Sequence, residues 1–308
     1  MTEPLVSVLM AARNHEAYAA QAAASILDQD YDRLELIAID DASDDATPDV
    51  LEECARNAER GRMQVVRHER QEGIAETRAQ ALGLARGDFI GLLDSDDLWL
   101  PGKVGAQVEL MVAEPDVGLV HGDYEAFDSA TGEPVPWGQR DWDRASDPLV
   151  ELVRFGNFVM AGSVLVRRKA VEQRGVGFIN PGSRSYDDYF LWLTIALDWR
   201  LAHQPRKVMR YRRHPENLSG ILLAGNVALE QKAVLELFVD RFPEARGRLG
   251  SELRRTYARL LVAAAAQERN RDRVQATRWA WAGFREHPPA ALGEAGRGVR
   301  SKLAAIRS

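Results

Sequence analysis

Residues 5–100 alternate short apolar runs with helical patterns, and this alternation restricts the fold more than any other feature of the chain. Val6–Met10, Leu34–Ile39, Met63–Arg67 and Phe89–Leu93 read as strands, separated by helical periods at Tyr18–Leu27, Pro48–Glu59 and Ile74–Ala85. Thr47, just before Pro48, is the expected N-cap of the second helix. Strands joined through helices of this length make βαβ units with right-handed crossovers and a mostly parallel sheet. Open sheets of that kind bind ligands beyond the carboxyl ends of their strands. Three polar clusters fall at those ends: Arg13-Asn14, Asp40-Asp41 and Asp94–Asp97.

The last cluster, in Asp88-Phe-Ile-Gly-Leu-Leu-Asp94-Ser-Asp96-Asp97, closes an apolar run with three carboxylates. Alternation along an extended backbone would put Asp94 and Asp96 on one side, where their repulsion calls for a cation between them. Oxygen ligands at a strand end suit Mg²⁺ or Mn²⁺, ions that commonly bring substrate phosphates with them. The alternative is a solvated acidic turn leading into a helix after Pro101.

The middle of the chain is less regular, with a strand expected at Ala161–Arg167 and a helix at Asp187–Leu197. Beyond Gly225 the pattern is helical to about Phe284, and Leu253, Tyr257, Leu260, Leu261 and Ala264 mark one apolar face. From Arg241 onward there are 15 Lys/Arg against 6 Asp/Glu, a balance of +9, which leaves 25 against 40, or −15, for the rest. Such a basic tail suits an anionic partner such as a membrane surface, or an acidic protein face. It contains no recognised nucleic-acid-reading motif. The single cysteine, Cys54, fits a reducing cytoplasm. No secretory signal is read at Leu5–Met10, which follows Glu3 and is soon interrupted by Arg13. No apolar run approaches the length of a membrane span.

The ordered set of motifs resembles the family 2 glycosyltransferases, inverting enzymes with the nucleotide-sugar-binding GT-A fold. The matching stretches are Val6–Asn14, Ile39–Asp45, Gly73–Arg78, Ala85–Pro101, Ser163–Arg168, Tyr186–Leu193 and Tyr211–Asn217. They cover roughly the first 220 residues and leave the tail outside. The resemblance implies an α/β GT-A domain over 1–222, with a nucleotide-binding half (1–100) and an acceptor-binding half (101–222), and a helical extension over 223–308.

Residue by residue, the resemblance implies that Asp41 reads the nucleotide base and that Arg78 supports the base or a phosphate. A surface pairing of Arg78 with Glu76 or Asp88 is the structural alternative. Asp94 would contact the ribose or a metal-bound water, and Asp96 the metal itself, while Asp97 caps a helix or orients its neighbours. Ala11, Arg13 and Ser95 complete the expected nucleotide site. Many family members place an aromatic where this chain has Ala11-Ala12-Arg13-Asn14, so Arg13 would stack on the base in its stead. Asp188 matches the family's general base, with Asp187 beside it toward the acceptor; acids opening a helix are also favoured by its dipole. His214, in a cluster with Arg210, Arg212 and Arg213, would ligate the metal or hold a diphosphate. Among Trp99, Trp137, Trp142 and Trp192, the acceptor candidates are Trp137 and Trp142, while Trp192 reads as core.

These readings converge on an inverting, Mn²⁺- or Mg²⁺-dependent transferase. It would take a nucleotide-diphosphate sugar, UDP- or dTDP-linked, to a glycan or glycolipid hydroxyl in surface-polysaccharide assembly. The tail is expected to form a helical hairpin packed on the catalytic domain, aiding attachment to the inner face of a membrane or pairing with a second copy of the chain. A nucleotidyltransferase would carry a glycine-rich basic loop near the first strand, which Ala11–Asn14 does not supply. A non-catalytic sugar-binding module would have no need of Asp94, Asp96 and Asp188.

Overall fold

The expected strand–helix alternation forms as β1 (Val6–Ala12), α1 (Ala19–Leu27), β2 (Leu34–Asp40), α2 (Thr47–Asn57), β3 (Met63–Arg67), α3 (Ile74–Leu84) and β4 (Phe89–Leu92). The structure, a computed structural model, describes residues 3–136, 147–178, 186–217, 227–269 and 271–305. β1 and β2 are buried along almost their whole length, because helices cover both faces of the sheet. α1 buries Ala19, Ala22, Ala23 and Ile26 on one face, and the small side chains let it lie close against the strands. Thr47 is not an N-cap: it is the first helical residue of α2, and Asp45 Oδ1 accepts both its N–H at 2.9 Å and its hydroxyl at 2.5 Å.

Among the described residues the sheet has eight strands in the order β3-β2-β1-β4-β7-β6-β8-β5, with β5 at Leu98–Trp99, β6 at Val117–Asp128, β7 at Val164–Arg167 and β8 at Arg200–Arg213. β3, β2, β1 and β4 pair in parallel, as do β6 and β8, whereas β7 runs against both its neighbours and β5 runs against β8. The sheet is therefore mixed, and the carboxyl ends of β1, β2, β4, β6 and β8 share one edge. The expected strand at Ala161–Arg167 begins as a 3₁₀ turn, Ala161–Ser163, before β7. Further helices described before residue 200 are α4 (Lys103–Ala113), α5 (Pro148–Phe155, which from Leu149 on belongs to the second unit below), α6 (Arg168–Glu172) and α7 (Asp187–Ile195). Every residue of α7 is buried, Trp192 included.

The chain divides into two compact units: Met1–Pro148, Asn157–Asn180 and Asp187–Pro215 in one, and Leu149–Gly156, Pro181–Tyr186 and Glu216–Ser308 in the other. The second unit is helical, with helices at Val227–Arg241, Glu244–Leu249, Ser251–Glu268, Arg273–Glu286 and Pro288–Ala305. Helices Ser251–Glu268 and Arg273–Glu286 form the expected hairpin. Asp272 caps the second by accepting the Gln275 N–H at 2.9 Å, a contact of the kind that contributes about 1 kcal/mol. Gly283 lets the helices meet, since a Cβ there would stand 2.8 Å from the Ala258 carbonyl oxygen. Leu253, Leu261 and Ala264 are buried on the apolar face, and Tyr257 and Leu260 partly so. Among the described residues, no helix is long and apolar enough to cross a membrane.

Candidate active site

The loops that follow β1 and β2 are stitched together by side chains. Ser43 Oγ accepts the Asn14 N–H at 2.9 Å and donates to Asp40, while Asn14 Oδ1 accepts the Asp44 N–H at 2.9 Å. Thr47 Oγ1 accepts the His15 N–H at 2.8 Å, and Asp45 Oδ2 the Glu16 N–H at 3.0 Å. Asn14 and Ala42 both sit at φ 55°. Asparagine tolerates that conformation, but alanine is held there only by its surroundings, at a cost on the order of 1 kcal/mol.

Asp41 is next to Ala42 and reaches across to the start of α3. Its carboxylate accepts the N–H groups of Glu72 at 2.8 Å and Gly73 at 2.9 Å, and pairs with His68 Nδ1 at 2.8 Å. Burial works against its charge, yet these three donors hold its pKa below the usual carboxylate value. A carboxylate offers about four lone-pair directions, so one remains for a ligand donor. Gly73 serves here because its φ of 100° is open only to glycine at little cost.

Beyond β4 the chain turns, with the Asp97 N–H donating to the Asp94 carbonyl at 3.1 Å. Strand alternation therefore no longer applies to Asp94 and Asp96, and the two carboxylates take different side-chain partners. Asp94 pairs with Arg78 Nη2 at 2.6 Å. Arg78 Nη1 bonds Asp187 at 3.0 Å, so this buried arginine joins α3, the acidic turn and α7. Its partners are neither Glu76 nor Asp88. Burial opposes its charge, but Asp187 and Asp94 drive its pKa upward.

Asp96 instead faces two histidines. His214 Nε2 lies 3.0 Å from Asp96 Oδ2, and His15 Nε2 lies 3.9 Å from it. Arg212 brings His214 into place: its N–H donates to Asp97 at 2.8 Å and its Nε to the Asp96 carbonyl at 2.7 Å. The Arg212 guanidinium is itself packed over Tyr18. The His214 side chain is only 2% exposed. Burial opposes ionisation of Asp96, but the hydrogen bond to His214 and the field of His15 keep its pKa low. Asp97, enclosed and repelled by Asp96 and Asp94, is pushed well above the ordinary carboxylate range. No capping role falls to it; it ties the turn to β8.

These three side chains fit a divalent cation. One ligand atom from each of His15, Asp96 and His214 lies within 4.8 Å of the others. His15 Nδ1 is 2.7 Å from Ser95 Oγ, and with the proton there, Nε2 presents its lone pair toward Asp96. Two imidazole nitrogens beside one carboxylate shift the preference from Mg²⁺ toward Mn²⁺ and other transition ions. His15 escaped the sequence reading, although it directly follows the Arg13-Asn14 cluster at the end of β1.

Asp188 opens α7 beside Asp187. Its Oδ1 accepts the Asn157 side-chain amide at 3.0 Å and the Tyr189 N–H at 2.6 Å. Burial, reinforced by the Asp187 charge and opposed by Arg78, pushes Asp188 up to about 7. A carboxylate at that value is poised to take and release a proton near neutrality. Asp188 thus neighbours Asp187, which shares Arg78 with Asp94, two residues from Asp96.

The other expected residues are placed as follows. Arg13 is 3.8 Å from Asp44 and partly exposed, Ala11 pairs with Ile39 inside the sheet, and Ser95 is buried against His15. Trp99 is buried with its Nε1 donating to the Gly162 carbonyl at 2.8 Å, which removes it from the sugar-stacking candidates. Trp137 and Trp142 lie outside the described residues. Sequence reasoning also missed His68 and Asn157, whose partners are distant in the chain and leave no spacing signal.

The model of the family described as "Glycosyl transferase family 2" matches residues 7–175. An Escherichia coli relative, UDP-Glc:alpha-D-GlcNAc-diphosphoundecaprenol beta-1,3-glucosyltransferase WfgD, is 29% identical over 210 residues, 64% of this chain and 72% of that one. Succinoglycan biosynthesis protein ExoU of Rhizobium meliloti (strain 1021) is 30% identical over 178 residues, 57% of this chain but only 47% of its own length. Among solved structures, S. aureus TarS 1-349 in complex with UDP-GlcNAc aligns with a TM-score of 0.65 at 15% identity, covering 94% of this chain and 83% of that one. Mannosyltransferase PcManGT from Pyrobaculum calidifontis, in complex with GDP-Man and Mn2+, aligns with a TM-score of 0.58 at 19% identity, covering 97% and 81%. The fold is thus the α/β GT-A fold with carboxyl-terminal helices.

Proposed function

Since the chain belongs to glycosyl transferase family 2, we propose that it is an inverting, metal-dependent enzyme. It transfers a sugar from a nucleotide-diphosphate donor, UDP- or dTDP-linked, to a hydroxyl of a glycan or lipid-linked acceptor in surface-polysaccharide assembly. The observation that carries this reading is the convergence of His15, Asp96 and His214 in the same unit as Asp188, a carboxylate whose pKa is about 7. The relatives named for a diphosphoundecaprenol-linked acceptor and for succinoglycan biosynthesis support the acceptor class. The neighbours bound to UDP-GlcNAc and to GDP-Man with Mn2+ support the donor class and the ion.

His15, Asp96 and His214 would hold the cation. When bound, it supplies neutralising charge for the diphosphate that leaves as the sugar–phosphate bond breaks. Asp41, at the end of β2, accepts a ring N–H of the base, and Asp94 stands toward the ribose, steadied by Arg78. Asp188 removes the proton from the acceptor hydroxyl as its oxygen attacks the anomeric carbon. One carbon–oxygen bond forms there, the bond to the diphosphate breaks on the opposite face, and the configuration inverts. Asn157 and the Tyr189 N–H fix the carboxylate for that proton transfer, and Asp187, held by Arg78, borders the acceptor side.

A thermal-shift panel of UDP, dTDP and GDP, each with and without Mn²⁺, tests the reading. Stabilisation by one or two of these nucleotides, dependent on the metal, is the expected result. Absence of any shift with all three would refute it.

A further inference from the structure

Helix Arg273–Glu286 packs inward through one narrow side, where Ala276 and Gly283 are buried and Gln275, Trp279 and Ala282 are partly covered. With a helical period of 3.6 residues, the stripe opposite that side is Val274, Arg278, Trp281 and Arg285. All four are exposed, Trp281 at 62% and Val274 at 64%. Phe284, also exposed, stacks on Trp281 with ring centroids 5.9 Å apart and planes 14° from parallel. Of the two acidic residues bordering this stretch, Asp272 is the N-cap on the inward side and Glu286 falls roughly 100° round the helix from the stripe, so the stripe itself combines apolar side chains with cations alone.

Val274, Trp281 and the Phe284 stacked on it form an exposed apolar patch, and Arg278 and Arg285 frame it. Single-sign charge beside an indole matches the headgroup region of an anionic bilayer, where tryptophan sits at the interface and each basic residue adds attraction. Residues 269–308 as a whole hold 9 Lys/Arg against 3 Asp/Glu. We infer that the Val274–Arg278–Trp281–Arg285 face is a docking surface for an anionic lipid bilayer, seating Trp281 and Phe284 at the headgroup level and Arg278 and Arg285 against lipid phosphates. Attachment of this kind would bring the enzyme to a lipid-linked acceptor, but it does not depend on the transfer chemistry proposed above.

Flotation of the full chain with vesicles of equal parts phosphatidylglycerol and phosphatidylcholine, beside pure phosphatidylcholine vesicles, tests this. The chain is expected to float with the anionic vesicles, to be released by high salt, and to bind the neutral ones far more weakly. Arg278→Ser/Arg285→Ser is expected to reduce anionic-vesicle binding roughly thirtyfold, and Trp281→Ser roughly tenfold or more. Since these side chains are exposed, melting temperature and metal-dependent nucleotide binding should remain at wild-type values in the variants. Vesicle binding that is absent, salt-independent, or equal in wild type and variants would overturn the assignment. So would a wild-type dimer that Trp281→Ser converts to monomer, because the face would then belong to a second copy of the chain. Loss of nucleotide binding in the wild type would count against the proposed transfer and leave the docking surface standing.

Discussion

His214 Nε2 stands 3.0 Å from Asp96 Oδ2, although 118 residues separate the two in the chain. The closure depends on Arg212, whose backbone and guanidinium both bond the acidic turn and thereby set the end of β8 over it. A buried carboxylate beside two imidazoles has the donor set of a candidate divalent-cation site.

Loss of either histidine should weaken the metal. His15→Ala and His214→Ala are each expected to lower Mn²⁺ affinity by about a hundredfold, and Ser95→Ala, which only orients His15, by about tenfold. Electron paramagnetic resonance of free Mn²⁺ during titration measures this without reference to activity.

Asp188→Asn should abolish the base while preserving the fold. The turnover of the wild type is expected to rise with pH through about 7, because the carboxylate must lose its proton to act. The variant should retain about a hundredth or less of that turnover. A group whose folded pKa is raised contributes stability at low pH and loses it as pH rises through that value. The variant escapes that loss, so its melting temperature at alkaline pH should not fall below that of the wild type.

Arg78→Met should destabilise the protein rather than merely slow it. It leaves Asp94 and the buried Asp187 without their shared partner, a change of the kind that costs about 3–5 kcal/mol. Urea denaturation of the variant, compared with Arg78→Met/Asp187→Asn, is expected to show partial recovery in the double variant.

The His68–Asp41 pair gives a pH signature of its own. Burial opposes the His68 charge, but the hydrogen bond to Asp41 raises its pKa above the ordinary value. Its contribution is therefore complete below about pH 6.5 and declines as pH rises through the folded pKa. Asp41, with a lowered pKa, contributes above about pH 4 and loses that contribution on acidification. His68→Gln should consequently lower the melting temperature more near pH 6 than near pH 9, as calorimetry can read.

The four amino-terminal strands and their helices were legible because each has a single unbroken period. β8 was not, since Arg200–Arg213 contains Pro205 and six Lys/Arg, and its pairing with β6 slips near Gly122 and Asp123. Among the candidate site residues, Asp96 and Asp188 lie in dense acidic motifs that the resemblance singles out. His15 and Asn157 carried no such mark: each acquires its role from a partner more than thirty residues away, through folding alone. The alternation that would set Asp94 beside Asp96 stops at Leu92, where the chain already turns and Asp94 meets Arg78 instead.

Nucleoside diphosphate released from UDP-glucose, UDP-GlcNAc, dTDP-glucose and GDP-mannose, with Mn²⁺ and with chelator, puts the metal and the base to the test together. Release from at least one donor is expected with Mn²⁺, with loss on chelation and a drop of about a hundredfold or more in both Asp96→Asn and Asp188→Asn. Release that persists in chelator and in both variants, or no release from any donor, would contradict the account.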